Sequence, residues 1–482
     1  MGPSNILFAC RSECSPRKYN LRRNSLQVSI FVTTNFCFTV HEPSHHSSHT
    51  QLQLPRIMDS TLSYPMPDGV YAIPHDELDL RSDDEVDQDL FNPKPISDEK
   101  NIWFFWHSGI GKMHGYTRRT VRNWHRRFSK KGWVVRVLDF EAGSPLHVEH
   151  YLDIHDPDVF PKALTDGSVG GHHSYQHISD LVRFPLLLKY GGVYADVGMV
   201  QIGDLDRVWN ATIGDPSSPY DVFTYNMGGP EERGMANYFL ALGRNNPFFL
   251  RCHKLLLALW AEDGGKTSTE GMHASPLLKG IPLLDTGHSM EENGRTYGRE
   301  ETATMLTDYI IQGQVITMVM GLIDLEDDWN GPKYVAEHIY AYDYMVGSQL
   351  INEITSWNGP KQFELMSLPV AKAGEEESDD QRLARKIVED CLSKSFGMKL
   401  ATGIIVRIMG ETLSSLWRNN EGSDNVPGTY AHWLRYGTLH WCPKDHPAKL
   451  DFKEMPAFKI GPLLGEGDLG PGAKTNDFRV PN

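Results

Sequence analysis

The sequence predicts an α/β protein with a mostly parallel central sheet, and a strand–helix–strand succession is the first indication. Residues 101–109, NIWFFWHSG, form a short apolar run that ends in glycine, as buried strands often do. Residues 116–132 have apolar positions at helical spacing and end in glycine, and residues 133–139, WVVRVLD, resemble a second strand. Two strands joined through a helix imply a parallel pair with a right-handed crossover.

A later stretch repeats this order. Residues 237–260, NYFLALGRNNPFFLRCHKLLLALW, are interpreted as a strand, a turn and a strongly apolar helix. Residues 305–324 are also apolar, but Asp308 and a turn around Gly313 interrupt them. We therefore expect helix and strand pieces of a core there rather than a membrane segment.

Composition divides the chain into four regions. The beginning is rich in Ser and His and then acidic, which favours a solvated segment, and the end is rich in Pro and Gly. The pattern predicts a disordered tail and acidic linker over 1–100, an α/β domain over 101–345, a helical C-terminal part over 346–455 and a Pro/Gly-rich tail over 456–482.

Charge and cysteine content exclude some classes of function. The formal net charge is −15 at pH 7, so no basic surplus is available to neutralise a nucleic acid. The six cysteines form no C-x-x-C zinc pattern and suggest no disulfide framework.

The sequence contains no run of about 18 apolar residues, the length that a membrane-spanning helix needs. Residues 26–40 are partly apolar and follow basic residues, which makes them a weak signal-peptide or anchor candidate. The alternatives are a disordered tail or extra sequence upstream of a start at Met58.

Residues 179–198, SDLVRFPLLLKYGGVYADVG, carry the chemistry of the chain. Asp180 and Arg183 are three residues apart and would share a helix face. A pair of glycines would end that helix, and Asp196 would follow the next strand, where open α/β sheets bind ligands. Pro185 lacks an N–H, so the helix either kinks there or starts nearby.

The series S-D-x-x-R and K-Y-G-G-x-Y-x-D in this stretch resembles the sugar-nucleotide-binding core of the DXD glycosyltransferases. The resemblance is to the branch grouped with capsular polysaccharide synthesis proteins, whose core fungal α-mannosyltransferases share. It implies a GT-A-like nucleotide-diphospho-sugar transferase sheet with a helical C-terminal extension. It further implies transfer of a hexosyl unit from a nucleotide-diphosphate sugar to a glycan or glycolipid acceptor, with retention of configuration and with Mn²⁺ or Mg²⁺ as cofactor.

The resemblance also assigns residues. Asp180, Arg183 and Asp196 would be catalytic, with Asp180 accepting hydrogen bonds from hydroxyls and Arg183 facing the sugar or phosphate. The nucleotide sugar would be bound by those three residues together with Gly191, Gly192, Tyr194 and His107. The alternative for Asp180 and Arg183 is a plain ion pair within the helix.

The motif departs from the family at its second acidic position, since the residues are Asp196, Val197 and Gly198. Three arrangements are open. Asp196 binds the cation with water and C-terminal groups, Asp204 or Asp206 supplies the missing oxygen, or the site binds nucleotide without catalysis. The last arrangement leaves a second function open, a non-catalytic protein that binds sugar nucleotides or glycans.

Family members often close the site with a histidine near the chain's end, so His432 and His440 are expected metal or phosphate ligands. Their neighbours Trp433 and Trp441 would stack on a sugar, or pack in the core as buried aromatics usually do. The compartment stays open. The resemblance is compatible with the Golgi or ER lumen, but the sequence offers no convincing transmembrane anchor.

Overall fold

The computed structural model describes residues 63–227, 234–372 and 374–465. The signal or anchor candidate at 26–40 lies outside the described residues. The strands are β1 (Val70–Ala72), β2 (Asn101–Phe105), β3 (Val134–Leu138), β4 (Gly192–Ala195), β5 (Met199–Gln201), β6 (Val222–Asn226), β7 (Phe239–Leu242), β8 (Met290–Glu292), β9 (Arg295–Tyr297), β10 (Leu322–Asp324), β11 (Trp329–Asn330), β12 (Ile339–Asp343), β13 (Gly397–Lys399), β14 (Trp441–Pro443) and β15 (Lys459–Ile460).

Helices connect most of these strands. They are α1 (Asp83–Phe91), α2 (Gly115–Phe128), α3 (Lys162–Thr165), α4 (Ser174–Tyr190), α5 (Leu205–Ala211), α6 (Pro247–Ala261), α7 (Arg299–Tyr309), α8 (Ile311–Met320), α9 (Gly331–His338), α10 (Tyr344–Ser348), α11 (Leu350–Ile354), α12 (Gly359–Ser367), α13 (Asp379–Lys394), α14 (Ile404–Met409), α15 (Leu413–Asn419) and α16 (Tyr430–His440). Among the helices of the described residues, none has both the length and the apolar character that a membrane crossing requires.

The central sheet has six strands in the order β12-β6-β7-β4-β2-β3. Strands β2 and β3 pair in parallel, with Asn101 opposite Val134, and β4 pairs in parallel with the other side of β2. Strand β7 runs antiparallel to both of its neighbours, while β6 and β12 are again parallel. The predicted β–α–β opening and the mostly parallel sheet are therefore confirmed.

Both faces of this sheet are covered by helices, which explains why its strands are continuous apolar runs in the sequence. Trp103 and Phe105 of β2 pack on one side with α4, α6 and α8. The alternate residues Ile102 and Phe104 pack on the other side with α2, whose Trp124 also lies in that cluster. The predicted strand and helix over 237–260 are confirmed as β7 and α6.

The prediction that 1–100 is disordered is wrong for residues 63–100. Strand β1 pairs antiparallel with β14 near the other end of the chain. Helix α1 begins with a capping box in which Ser82 and Glu85 bond each other's backbone N–H groups. Its acidic side chains are not simply solvated, because Asp87 accepts hydrogen bonds from Arg118 and Arg122 of α2.

The C-terminal part is mainly helical, as expected, with one difference. Residues 395–400, expected to be helical, contain strand β13, which pairs antiparallel with β5. The contact is close, since a Cβ on Gly397 would lie 2.2 Å from the Met199 Cε. The expected domain boundary at 345 falls inside α10. In the tail, β15 pairs in parallel with β10, and residues 466–482 lie outside the described part of the chain.

Candidate functional site

A cavity of about 520 Å³ opens at the carboxyl ends of β2 and β4, where an α/β sheet usually binds its ligand. We call it the central cavity. Its wall combines residues that follow β2 and β4 with residues of α4, α7, β13 and α15. Its polar and aromatic groups include His107, Tyr175, Ser179, Asp180, Arg183, Asp196, Lys399 and Arg418.

The turn between α4 and β4 places Asp196 at this cavity. Helix α4 continues through Pro185, so the alternative that it starts near the proline is wrong. The helix ends at Gly191, and both Gly191 and Gly192 have positive φ, at 65° and 102°. A Cβ on Gly192 would lie 2.2 Å from the Asn101 carbonyl oxygen. The two glycines are therefore needed for the turn, and neither lines the central cavity.

Arg183 is the centre of the charged cluster. Its guanidinium lies 2.8 Å from Asp180 Oδ1 and 3.4 Å from Asp196 Oδ1, and its side chain is 4% exposed. It also donates to the Asn237 carbonyl and lies over the ring of Tyr194, 4.7 Å from the centroid. The ion pair within the helix, one of the two alternatives for Asp180 and Arg183, is therefore present, and it also joins Asp196.

Tyr194 supports this cluster from behind. Its hydroxyl is 2.7 Å from Ser179 Oγ, and burial raises its pKa above the usual range, so the phenol stays neutral. Tyr194 does not line the central cavity, although it was expected among the nucleotide-sugar-binding residues. It contacts the wall residue Arg183 instead.

Lys399 reaches Asp196 from the C-terminal part of the chain. Its Nζ lies 2.7 Å from Asp196 Oδ2, so each carboxylate oxygen faces a cationic group. Lys399 was not predicted as a site residue, because residues 395–400 were expected to be helical. The glycine at 397, which disfavours a helix interior, is the signal that could have found the strand.

His107 lines the cavity from the turn that follows β2. Its ring centroid is 4.1 Å from that of Tyr175, whose side chain is exposed. Burial lowers the pKa of His107, although Glu141 and Asp139 act in the opposite direction, so the imidazole is neutral at physiological pH. The pair forms an aromatic wall, and Tyr175 is a second residue that the sequence analysis missed.

The two expected C-terminal ligands lie elsewhere. His432 Nδ1 is 2.7 Å from the Tyr64 hydroxyl, and the ring of His440 lies against Tyr436 and His75. Burial, aided by the charges of His75 and Arg126, lowers the pKa of His440 to about 4. Neither histidine is among the described residues that line the central cavity.

The carboxylates of Asp204 and Asp206, which were considered as further metal ligands, are paired with lysines. Asp204 caps α5 and pairs with Lys131, and Asp206 lies 2.6 Å from Lys100. Neither lines the central cavity. The arrangement in which one of them completes a metal site beside Asp196 is therefore not found. Trp433 stacks on Tyr64 and Trp441 lies in the same core cluster, so both are core aromatics.

A divalent cation fits poorly beside Asp196. The central cavity offers two carboxylates among its described residues, and both are already bound by cationic side chains, Asp180 by Arg183 and Asp196 by Arg183 and Lys399. Oxygen ligands are what Mg²⁺ and Mn²⁺ require, and an ammonium group supplies none. The donor set here is therefore wrong for such a cation.

One other group of the described residues, Asp79, Asp89 and His125, could hold a metal ion, since its ligand atoms lie within 4.8 Å of one another. Arg81 binds both of its carboxylates. None of the three residues lines the central cavity.

Comparison with known proteins decides the family. A family model described as capsular polysaccharide synthesis protein matches residues 77–265. The O-glycosyltransferase braB of Annulohypoxylon truncatum is 34% identical over 410 residues, which cover 84% of this chain and 95% of that protein. The chain belongs to this family of glycosyltransferases.

Further relatives agree with this assignment. Glycosyltransferase afumC of Aspergillus fumigatus is 35% identical over 76% of this chain and 91% of its own length. O-glycosyltransferase PaGT of Phomopsis amygdali is 32% identical over 78% of this chain and 90% of its own length. These names favour an enzyme over the non-catalytic alternative, so the protein is a glycosyltransferase.

Among solved structures, PaToxG Glycosyltransferase covers 37% of this chain and 67% of its own, with 15% identity and a TM-score of 0.23. A score this low does not establish a common fold for the two glycosyltransferases.

Proposed function

We propose that this glycosyltransferase moves a hexosyl unit from a nucleotide-diphosphate sugar, bound in the central cavity, to a hydroxyl oxygen of an acceptor. One observation carries the proposal: Asp180, Arg183, Asp196 and Lys399 converge at the carboxyl ends of β2 and β4 inside one cavity. Hydroxyl groups of a sugar suit carboxylates, and a diphosphate suits cations. A nucleotide sugar presents both.

The strand order supports a GT-A-like nucleotide-diphospho-sugar transferase fold. Strands β3, β2 and β4 are parallel neighbours, and the antiparallel β7 follows on the far side of β4. The direction of pairing changes at β4, next to the strand end that carries Asp196. Ligands of open α/β sheets bind at such places.

Individual roles follow from position. We assign Asp180 to hydroxyl groups of the sugar or ribose, because its side chain faces the central cavity and Arg183 holds it in place. Tyr175 is exposed and lies against the ring of His107, which suits the flat face of a nucleobase. Arg183 is largely occupied by its two carboxylates, so we assign it to orienting them.

For the acceptor, the names of two relatives specify transfer to oxygen, and the family resemblance favours a glycan or glycolipid. A second cavity of about 250 Å³ shares Tyr116, Gln176, Thr402, Gly403 and Arg418 with the central cavity. It gives an acceptor a path to the anomeric carbon. Both carboxylates of the central cavity are bound by cationic side chains, so neither carboxylate is free to act as a general base, which agrees with a retaining reaction.

The test is turnover of a donor panel. Purified protein is incubated with UDP- and GDP-linked hexoses, and release of the nucleoside diphosphate is measured with and without added glycan acceptors. We expect one donor to be consumed, and Asp180→Asn to abolish its consumption. Asp379→Asn is the control, because that side chain is 97% exposed. If no donor is hydrolysed or transferred, the proposed function is wrong.

A further inference from the structure

We propose that the ammonium group of Lys399 replaces the divalent cation in this glycosyltransferase and neutralises the departing diphosphate. The proposal rests on the proposed function, because it concerns the same cavity. It predicts donor binding and transfer that do not depend on a metal ion. It also gives a chemical meaning to Gly198, at which the sequence departs from the D-x-D pattern.

The ammonium group is fixed at the place where a cation is needed. It lies 2.7 Å from Asp196 Oδ2 and 5.4 Å from the ring centroid of Tyr238, and its side chain is 11% exposed. A cation that is mostly shielded from water attracts an incoming anion more strongly than a solvated one does. The lysine lines the cavity, so a ligand can reach it.

Backbone pairing holds this lysine in register. Lys399 lies opposite Met199 in the antiparallel pair of β13 and β5, and the next residue, Leu400, donates its N–H to the Gly198 carbonyl at 2.9 Å. The position of the ammonium group is therefore set by two strands. It does not depend on a flexible loop.

Glycine at 198 and lysine at 399 belong together sterically. A Cβ on Gly198 would lie 3.0 Å from the Leu400 carbonyl oxygen and 3.8 Å from Lys399 Nζ. The contact with Leu400 is tight, so a side chain in that position would crowd β13. Glycine at 198 thus lets the strand that carries Lys399 lie close to the turn after β4.

The sum of charges is the same for a D-x-D motif that holds a divalent cation and for Asp196 paired with Lys399. Two carboxylates with a divalent cation sum to zero, and so do one carboxylate and one ammonium group. Arg418 adds a second positive charge at the cavity wall, and it forms no ion pair with any of the described residues. Its guanidinium is thus free to meet a phosphate oxygen in a chain whose net charge is −15.

The bond between the anomeric carbon and the diphosphate oxygen breaks, and its electron pair goes to that oxygen. A new bond forms between the anomeric carbon and the acceptor oxygen, whose proton leaves with the diphosphate. Lys399 stays protonated throughout, and it donates a hydrogen bond to the oxygen on which negative charge develops.

The experiment measures binding of uridine and guanosine diphosphate by calorimetry, in excess EDTA and again with Mn²⁺. The wild type is expected to bind one of them with the same affinity, within about twofold, in both conditions. Lys399→Met should weaken binding in EDTA by about ten- to hundredfold, the usual range for a hydrogen bond to a charged group. Lys399→Arg should keep part of the affinity.

Lys333→Met is the matched control, since its side chain is exposed and outside the cavity, and thermal unfolding of all variants checks their folding. Binding that needs Mn²⁺, or a folded Lys399→Met protein with wild-type affinity, would overturn this proposal and leave the proposed function intact. Absence of binding by the wild type in both conditions would overturn the proposed function as well.

Discussion

Arg183 and Asp180 form an ion pair of 2.8 Å one helical turn apart on α4, and the guanidinium is almost completely buried. Replacing Arg183 by Met would leave the carboxylates of Asp180 and Asp196 facing each other without it. We expect the free energy of unfolding to fall by about 3 kcal/mol, because a buried charge loses its partner. Urea unfolding measures this loss, and donor consumption should disappear with it.

The comparison variant is Arg183→Lys, which keeps the charge but lacks the planar fork that contacts both carboxylates. It should recover part of the stability and little of the activity. A Met variant with wild-type unfolding free energy and turnover would show that the buried cluster has no part in either.

Gly192 is expected to tolerate no side chain. In Gly192→Ala the new Cβ would collide with the Asn101 carbonyl, 2.2 Å away, and the residue would have to keep φ at 102°. We expect a loss of more than about 3 kcal/mol in the free energy of unfolding, above the usual cost of backbone strain alone. Gly287→Ala separates the two effects, because Gly287 also has positive φ but has open space around it. Equal losses in both variants would contradict the close contact.

The pH dependence of stability should contain a contribution from His253. Burial lowers its pKa to about 4, against about 6.5 in an unfolded chain. The unfolded state therefore binds more protons between these two pH values. The stabilisation of the folded state that depends on a neutral His253 is complete above pH 6.5 and is lost as the pH falls towards 4. The slope is about 1.4 kcal/mol per pH unit, and the loss reaches about 3 kcal/mol.

Denaturant unfolding at a series of pH values checks this expectation. His253→Gln keeps a donor for the Asp158 carbonyl but does not titrate, so its stability should fall less steeply between pH 6.5 and 4. His288→Gln, on an exposed loop, should follow the wild type. Parallel curves for wild type and His253→Gln would be evidence against a buried neutral imidazole.

Tyr175 should contribute to donor affinity through its ring. The side chain is 59% exposed and lies against His107, so Tyr175→Ala removes one face of the aromatic wall without disturbing a core. We expect KM for the donor to rise by about five- to hundredfold, the range seen for stacked bases. Tyr175→Phe keeps the ring and should stay near wild type. An unchanged KM in the Ala variant would place the base elsewhere.

The parts of the fold that the sequence predicted are those with strong local periodicity. Strands β2 and β3 and helix α2 were predicted because their apolar spacing alone decides their structure. The glycine pair and Asp196 were placed correctly since a helix stop followed by a strand end is also a local pattern. Helix α1 was missed, because its acidic side chains are neutralised by Arg118 and Arg122 of a different helix.

Only the site residues between positions 180 and 196 were predictable from the sequence. Asp180, Arg183 and Asp196 lie within 17 residues and carry a recognisable spacing. Lys399 lies 203 residues beyond Asp196, and it reaches that residue only through the pairing of β13 with β5. The local sequence contains no information on such a contact. The predicted histidine ligands failed for the same reason, since the partners of His432 and His440 lie in the first 80 residues and in α16 itself.

The pairing of β1 with β14 has a consequence for biosynthesis. Val70 pairs with Pro443, so β1 has no backbone partner on that side until residues 441–443 have left the ribosome. Strand β1 therefore pairs late in translation, and a ribosome that stops before residue 441 releases a chain in which β1 remains unpaired. Premature termination before β14 would damage the segment around β1 as much as the part that is lost.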